Sequence, residues 1–392
     1  MTDCGTDVRA WLDERAEDMA GLLDVLVRVP TENPPGRELG RCALVLRDAL
    51  ERLGFSPELL ELPPTGSLEE PAVVRGSVGS GTQLLYYHGH FDVVPAQSPS
   101  QFEPRRRDGR IIGRGSADMK GGLVSMLYGA AAASELGLLG DRRIVLHLVC
   151  DEETGSTTGS GHLRAADLID PDAVAMLTAE PTGGVIWHAC RGAITLRVQT
   201  SGREAHVGYV HEGVNAFEHM IRIAEPLTAL SRKLLEERTS MLVVGGQAGA
   251  GAGFNVVPGS AWFSVDRRFN PDEELDRELA RLTGMIDAAA DAAGAQVDVE
   301  VLQAQPSGSS DRNHPAAQNL ARCVEAVEGA SPSFELCPGV LETRWYSQLG
   351  IPAFAYGGGR LDVSHGPDEY IDESAMRRCA AVYALFAAEI NR

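Results

Sequence analysis

Five segments of the chain carry side chains that could bind metal ions. Glycine or proline, which suit tight and irregular loops, occurs in these segments. The side chains are two histidines and three carboxylates: His90 in HGHFDVVP, Asp118 in GRGSADMKGG, Glu153 in DEETGS, Glu180 in AEPTGG and His365 in SHGPDEY. Imidazole with carboxylate is the ligand mixture expected for zinc, and cobalt or manganese can substitute for it. The set is large enough for two metal ions if one carboxylate bridges them.

Each of these residues also has an ordinary structural interpretation. A histidine at the end of a strand is more often structural than a ligand, DEE is usually a solvated acidic turn, and Asp118 could be a helix N-cap. Glu180 could be a loop acid and His365 could stabilise a turn. The metal-site hypothesis is favoured by the combination, because all five occur in one chain and three of them follow predicted strands.

The residues around His90 suggest how that histidine is held. Asp92 stands two positions after it and could accept the second N–H of the imidazole, which would fix the tautomer of a metal ligand. His88 stands two positions before His90, so strand alternation places it on the same side of the sheet. The sequence assigns no role to His88.

The elements that carry these residues indicate an α/β layer. Three apolar, β-rich runs, QLLYYHGH, RIVLHLVC and AVAMLTAE, read as buried strands of a largely parallel sheet, and MKGGLVSMLYGAAAASELG between the first two reads as a helix. Segments 7–29 and 37–53 have apolar positions at helical spacing. Ligands bind outside the carboxyl ends of strands in such sheets, so the polar residues that follow the three runs should converge.

The middle of the chain has a different pattern. From about residue 192 the order is strand, helix, strand, strand, helix, strand, which is ferredoxin-like. GGQAGAGAG inside it predicts a flexible loop. After about residue 305 the α/β pattern returns, with helices near 315–328 and 372–390. The central segment therefore reads as a domain inserted into the first one.

Composition excludes some partners. The formal net charge is −20 and the isoelectric point is about 4.9, so nucleic acid and anionic membranes would repel the chain. Seven scattered cysteines without a CxxC pair favour reduced thiols. The N-terminal residues show no signal-peptide pattern, and no apolar run has membrane-spanning length. We expect a cytoplasmic protein.

These motifs together resemble the dizinc aminoacylase, carboxypeptidase and dipeptidase family that includes acetylornithine deacetylase and succinyl-diaminopimelate desuccinylase. The matching motifs run from residue 88 to residue 369. The resemblance implies a zinc-peptidase-like mixed sheet flanked by helices, with a ferredoxin-like (βαββαβ) lid and dimerisation domain inserted into it. The catalytic domain would comprise 1–191 and 305–392, and the lid 192–304.

The resemblance also implies roles at the metal centre. Asp118 would bridge two zinc ions, His90 and Glu180 would complete one ligand shell, and Glu153 with His365 the other. Glu152 would be the general base, taking a proton from the attacking water and giving it to the leaving amine. Asp92 would support His90. The peptide bond after Asp118 would be cis.

A second set of implied roles lies in and near the lid. His206, in GREAHVGYVHEGVNA, would reach the site of a partner subunit and stabilise the tetrahedral oxyanion. The substrate would be held by Arg191, Asn255, Arg268 and Arg344. Arginine suits bidentate recognition of a carboxylate, although a structural salt bridge is an equal alternative for each arginine.

The chain departs from the usual family pattern outside the ligands. Leu341, Glu342 and Thr343 stand where Thr or Ser, Asp and Ala are usual, Val207 and Val210 replace a serine and a proline after the lid histidine, and Gly358 replaces a proline. We interpret these differences as changes in the substrate shell, which affect specificity rather than metal binding.

Three functions are compatible with the sequence. The first is a two-metal hydrolase, with zinc or else cobalt or manganese, that deacylates an N-acyl amino acid. The second is a dipeptidase or carboxypeptidase with the same centre. The third is a metal-binding accessory or amide-forming protein, which the presence of Glu152 disfavours. The lid predicts a homodimer.

Overall fold

The computed structural model describes residues 2–66 and 68–390. Within these ranges the helices are α1 Thr2–Glu14, α2 Ala16–Val27, α3 Leu39–Arg52, α4 Gly121–Glu135, α5 Ser160–Ala165, α6 Ala216–Glu237, α7 Leu275–Ala293, α8 Pro315–Glu328, α9 Thr343–Ser347 and α10 Glu373–Glu389. The strands are β1 Ser56–Glu61, β2 Ala72–Val78, β3 Gln83–His90, β4 Arg105–Arg107, β5 Arg110–Ile112, β6 Arg142–Val149, β7 Ala175–Thr178, β8 Ile186–Cys190, β9 Gly192–Ser201, β10 Ala205–His206, β11 Met241–Ala250, β12 Val256–Val257, β13 Ser260–Phe269, β14 Gln296–Gln305, β15 Gly308–Ser309, β16 Phe334–Cys337, β17 Ala353–Ala355 and β18 Tyr370–Asp372.

The chain forms two compact units. The first comprises the residues up to Ala189, Ser309–Leu336 and the residues from Glu342 onward. The second comprises Cys190–Gly308 and Cys337–Leu341. The functional roles predicted for 1–191 with 305–392, and for 192–304, stay predictions.

The first unit is built on a mixed sheet of nine strands. The order is β1-β2-β6-β3-β7-β17-β8-β15, with β16 paired to β8. The four central strands are parallel to one another: β6, β3, β7 and β17. On one side β2 pairs antiparallel with β6 and with β1, and on the other side β8 pairs antiparallel with β17. The parallel part holds the three runs identified in the sequence, and the predicted mixed α/β class is confirmed.

Alternation along β3 directs its side chains to two cores. Leu85 and Tyr87 belong to the core that includes α1 to α4, α8 and α10, whereas Leu84 and Tyr86 belong to a smaller core that includes α5 and α9. Apolar side chains are thus buried on both faces of the strand, which explains its continuous hydrophobicity.

The second unit has the predicted βαββαβ order. Strands β11, β13, β9 and β14 form one antiparallel sheet in that order, and α6 and α7 bury their apolar residues against it. This arrangement confirms the ferredoxin-like prediction.

Two local predictions need correction. The helix expected over 7–29 is divided at Arg15, and the two parts pack differently: α1 mainly on α10, α2 on α4. The loop expected at GGQAGAGAG is wrong for its first six residues, since β11 extends to Ala250 with a register shift between Val244 and Ala248. Ala248, Gly249 and Ala250 pair with β13 despite their small side chains, whereas 245–247 form the irregular stretch between the two registers. None of the helices in the described ranges combines the length and apolar character of a membrane span.

Candidate metal centre

Three of the five predicted ligands meet at one edge of the sheet. His90 is the last residue of β3, Glu153 lies in a 3-10 turn, Glu152–Thr154, soon after β6, and Glu180 follows β7. These strands are neighbours and parallel, so their carboxyl ends lie at the same edge. The predicted convergence of these residues is confirmed.

The other two predicted ligands come from irregular backbone. Asp118 lies in the Ser116–Lys120 turn that precedes α4, and its peptide bond to Met119 is cis, as the family resemblance implied. His365 has a φ of 64°, a left-handed conformation that few non-glycine residues adopt. The Asp118 carboxylate lies between the two histidines.

The five side chains form two triplets that share Asp118. In one triplet, His90 Nε2 lies 3.4 Å from Asp118 Oδ1 and 3.9 Å from Glu180 Oε2. In the other, His365 Nε2 lies 3.3 Å from Asp118 Oδ2 and 3.6 Å from Glu153 Oε1. Two atoms bound to one tetrahedral ion at its usual ligand distances are about 3.4 Å apart. The spacing therefore fits two cations bridged by Asp118.

Unsatisfied atoms and electrostatics also fit bound cations. His90 Nε2, Glu153 Oε1 and Glu180 Oε1 are buried without a hydrogen-bond partner, which is unusual for polar atoms in a protein interior. Burial raises the pKa of Glu180 to about 8, and the negative charge of Asp118 adds to this shift. A divalent cation would satisfy both the unpartnered atoms and the crowded carboxylates.

Asp92 holds two parts of the site. His90 Nδ1 lies 3.0 Å from the backbone carbonyl oxygen of Asp92 and 3.3 Å from the carboxylate Oδ1 of Asp92. Both oxygens accept, so Nδ1 carries the proton and Nε2 can present its lone pair to a metal. The same carboxylate accepts the backbone N–H groups of Glu152 and Glu153 at 3.1 Å each, and Nδ2 of Asn33 at 2.9 Å. The sequence did not predict the last three bonds.

A buried ion pair supports the turn that carries Asp118. Glu369 Oε1 accepts the backbone N–H groups of Ala117 at 3.0 Å and Asp118 at 3.1 Å, and Glu369 Oε2 accepts from Arg114 Nη1 at 2.6 Å. Arg114 Nη2 also donates to the carbonyl of His365 at 3.2 Å. Neither residue was predicted from the sequence. Their positions within GRGSADMKGG and SHGPDEY were the available signal.

Glu152 lies beside the ligands and is half-buried. Burial raises its pKa, and the neighbouring carboxylates of Glu180 and Glu153 raise it further. A carboxylate with a raised pKa is a stronger base. The arrangement can therefore hold or accept a proton next to the two ligand triplets.

Four predicted functional residues belong to the second unit. His206 is exposed, and its Nδ1 accepts the N–H of Gly208 at 3.1 Å. Asn255 is exposed on the neighbouring strand segment, where its carbonyl accepts from Val207. Arg268 is bonded to both carboxylate oxygens of Asp266, and Arg191 Nη1 donates to the carbonyl of Thr239 at 3.4 Å. The substrate roles of these residues stay predictions.

Arg344 lies in the first unit and is fully buried. Its Nη2 donates to the carbonyl of Gly155 at 3.1 Å, immediately after the turn that contains Glu152 and Glu153. Its predicted role in binding substrate stays a prediction. The departures at 341–343 are also buried, with at most 4 % of each residue exposed. They pack within the structure, and their interpretation as part of the substrate shell stays a prediction.

Curated relatives include two bacterial acyl-group hydrolases. A succinyl-diaminopimelate desuccinylase of Gluconacetobacter diazotrophicus is 30% identical over 383 residues, covering 92% of this chain and 94% of the relative. An acetylornithine deacetylase of Myxococcus xanthus is 28% identical, covering 86% of this chain and 89% of the relative.

Solved structures share the fold at low sequence identity. The di-peptidase Dug1p of Saccharomyces cerevisiae has a TM-score of 0.80 at 16% identity and covers all of both chains. The YXEP protein of Bacillus subtilis, described as a dinuclear metal binding peptidase, has a TM-score of 0.69 at 15% identity, covering 96% of this chain and 98% of that one. These similarities support the fold.

The family comparison covers most of the chain. The model described as peptidase family M20/M25/M40 matches residues 86–389, well over half of the 392 residues. The predicted resemblance and the predicted class of amide-bond hydrolase are thereby confirmed. The chain belongs to peptidase family M20/M25/M40.

Proposed function

We propose that this protein is a two-metal amide hydrolase that removes the acyl group from an N-acylated amino acid. The observation that carries the proposal is the pair of ligand triplets that share Asp118, with Glu152 beside them. The names of the relatives, desuccinylase and deacetylase, support acyl removal over other amide hydrolysis.

Five residues would hold the metal ions. His90 and Glu180 would bind one ion, Glu153 and His365 the other, and Asp118 both. The mixture of imidazole and carboxylate favours zinc, with cobalt or manganese as alternatives. When bound, such ions supply Lewis acidity that polarises an amide carbonyl and makes water a stronger acid.

Glu152 would move the proton during hydrolysis. Its carboxylate takes a proton from the water that attacks the carbonyl carbon, and the same carboxylic acid then protonates the amine nitrogen as the C–N bond breaks. The products are a free carboxylic acid and a free amine. Asp92 supports this step because it accepts the backbone N–H groups of Glu152 and Glu153.

Recognition and assembly follow from the family pattern. Arg191, Asn255, Arg268 and Arg344 would bind the polar groups of the substrate, and His206 would stabilise the oxyanion in the site of a partner subunit. The protein would be a cytoplasmic homodimer that associates through the lid at 192–304, with the catalytic domain at 1–191 and 305–392. Exposed apolar side chains near His206, including Tyr209 and Phe254, support a contact surface in that segment.

Dipeptidase or carboxypeptidase activity is the main alternative. It would use the same centre and differ in the size and charge of the group released. The solved di-peptidase shares the fold but only 16% of the sequence, so it favours this alternative less than the named relatives favour deacylation. A non-hydrolytic accessory role would give no reason for Glu152 beside the ligands.

The proposal is tested by a substrate panel with added zinc, cobalt and manganese. N-acetyl amino acids, N-succinyl amino acids and dipeptides are compared, and bound metal is counted by elemental analysis. Glu152→Gln should retain both metal ions and lower kcat by about 10²–10⁴-fold, the usual contribution of a general acid-base group.

Glu135→Gln is the matched control, since Glu135 bonds to Trp11 and Arg15 at the C-terminal end of α4, whereas Asp118 precedes the N-terminal end of that helix. It should keep the wild-type kcat. Wild-type turnover by Glu152→Gln would refute the assigned base. Preferential cleavage of dipeptides would replace deacylation by the alternative.

A further inference from the structure

His88 belongs to a buried polar cluster. Its Nε2 contacts the carboxylate of Glu342, and its Nδ1 lies 2.9 Å from the hydroxyl of Tyr346. Glu342 also accepts a hydrogen bond from the hydroxyl of Ser160. All four residues have no exposed surface. His88, to which the sequence assigned no role, is therefore a partner of Glu342, which departs from the usual family pattern.

His88 and Glu342 form a buried hydrogen-bonded pair. Burial alone would raise the pKa of Glu342, but the charge of His88 and the hydrogen bonds from His88 and Ser160 lower it to about 2. A buried carboxylate is costly unless its geometry and its hydrogen bonds compensate for lost hydration. Replacing a buried pair by apolar residues of similar volume is often neutral for stability, so the presence of the pair is weak evidence for a stabilising role.

The cluster connects three elements that border the metal centre. His88 stands two residues before His90 on β3, Ser160 is the first residue of α5, and Glu342 directly precedes α9. One carboxylate thus fixes the end of a ligand-bearing strand against two short helices.

The first turn of α9 also contacts the turn that carries the proposed base. Arg344 donates to the carbonyl of Gly155 at 3.1 Å, and Gly155 donates its N–H to the carbonyl of Glu152 at 2.9 Å. Because α9 has only five residues, its position depends on the contacts at its start. A shift of Glu342 would be transmitted to this turn.

We propose that His88 and Glu342 are positioning residues that set the Glu152–Thr154 turn relative to His90. This inference rests on the proposed function, in which Glu152 is the base and Glu153 a ligand. It also gives the departure at position 342 a purpose, because the Glu342 carboxylate contacts His88 and Ser160 and so belongs to the framework of the site.

Glu342→Gln tests the proposal, with kcat, KM and the visible spectrum of the Co²⁺-substituted protein as readouts. We expect kcat to fall by about 10²-fold, the effect of misplacing a reacting group by about 1 Å, with little change in KM. The Co²⁺ spectrum should change, and the weaker Co²⁺ site should lose about 10–100-fold in affinity. His88→Asn should give the same changes, and the double variant should be no worse than either one, because both remove one contact.

Glu278→Gln is the matched control. Glu278 is a buried acid paired with Arg267 in the second unit, with Glu278 Oε2 and Arg267 Nη2 2.8 Å apart. Its loss should lower stability without changing kcat, KM or the Co²⁺ spectrum. A purely structural role for Glu342 would give this same pattern and would overturn the proposal.

Two further outcomes are decisive. If Glu342→Gln does not fold, Ser160→Ala replaces it, since it removes only one donor to Glu342. A smaller loss of kcat with a changed Co²⁺ spectrum would support the proposal, and wild-type values would overturn it. A wild-type protein that binds Co²⁺ but cleaves nothing in the panel would refute the proposed function, while the spectrum would still test the pair. A wild-type protein that binds no Co²⁺ would overturn both.

Discussion

Replacing Glu369 by glutamine isolates the charge of a buried ion pair. The Glu369 carboxylate accepts two backbone N–H groups at 3.0 and 3.1 Å and a guanidinium N–H of Arg114 at 2.6 Å. Both side chains are at most 1 % exposed. Glutamine has nearly the same shape, and its carbonyl oxygen can still accept the two backbone bonds.

The expected loss of stability follows from what remains after the substitution. Removing one partner of a buried pair costs about 3–5 kcal/mol, because the other charge stays buried without compensation. Two of the three hydrogen bonds at Glu369 are kept, so we expect the lower end, about 3 kcal/mol. Arg114 would then retain its bond to the carbonyl of His365.

Urea unfolding of the metal-free protein measures this loss from the transition midpoint and slope. Glu373→Gln is the matched control, because Glu373 pairs with Arg106 at 2.7 Å near the surface. Such a pair contributes at most about 1 kcal/mol. A loss for Glu369→Gln within about 1 kcal/mol of zero, the range of surface pairs, would refute the reasoning. A second variant, Arg114→Met with Glu369→Gln, should lose less than the sum of the single changes.

Three further predictions use other parts of the structure. Gly122→Ala should destabilise the protein by about 1–3 kcal/mol, because the new Cβ would lie 2.2 Å from the backbone carbonyl oxygen of Ala179. Gly284→Ala places its Cβ with nothing within 4 Å and should stabilise α7 by about 1 kcal/mol. Changes of the same sign in the free energy of unfolding by urea would contradict this packing. Asp92→Asn should weaken metal binding by about 10–100-fold in chelator competition, and unchanged affinity would remove its supporting role. A thiol reagent should modify the partly exposed Cys4 first, because the other cysteines are buried and burial raises the pKa of Cys42 to about 11. Rapid reaction of all seven thiols in the native protein would contradict this burial.

Local sequence patterns predicted much of the fold. Apolar runs of strand length and helical spacing are properties of short segments, so the three parallel strands and the βαββαβ order were visible in the sequence. The prediction failed for 245–250 of GGQAGAGAG, which belong to β11 and pair with β13 from Ala248 onward. Pairing with a distant segment outweighed the local preference of glycine.

The sequence by itself determined the chemistry available at the candidate metal centre, because the predicted ligands are recognisable side-chain types and three of them follow predicted strands. Only the tertiary structure decided which residues support them. His88 meets Glu342 across 254 positions, and Glu369 meets Asp118 across 251. Local periodicity carries no information about such contacts. Packing brings these residues together and excludes water from them, and their charges then require partners.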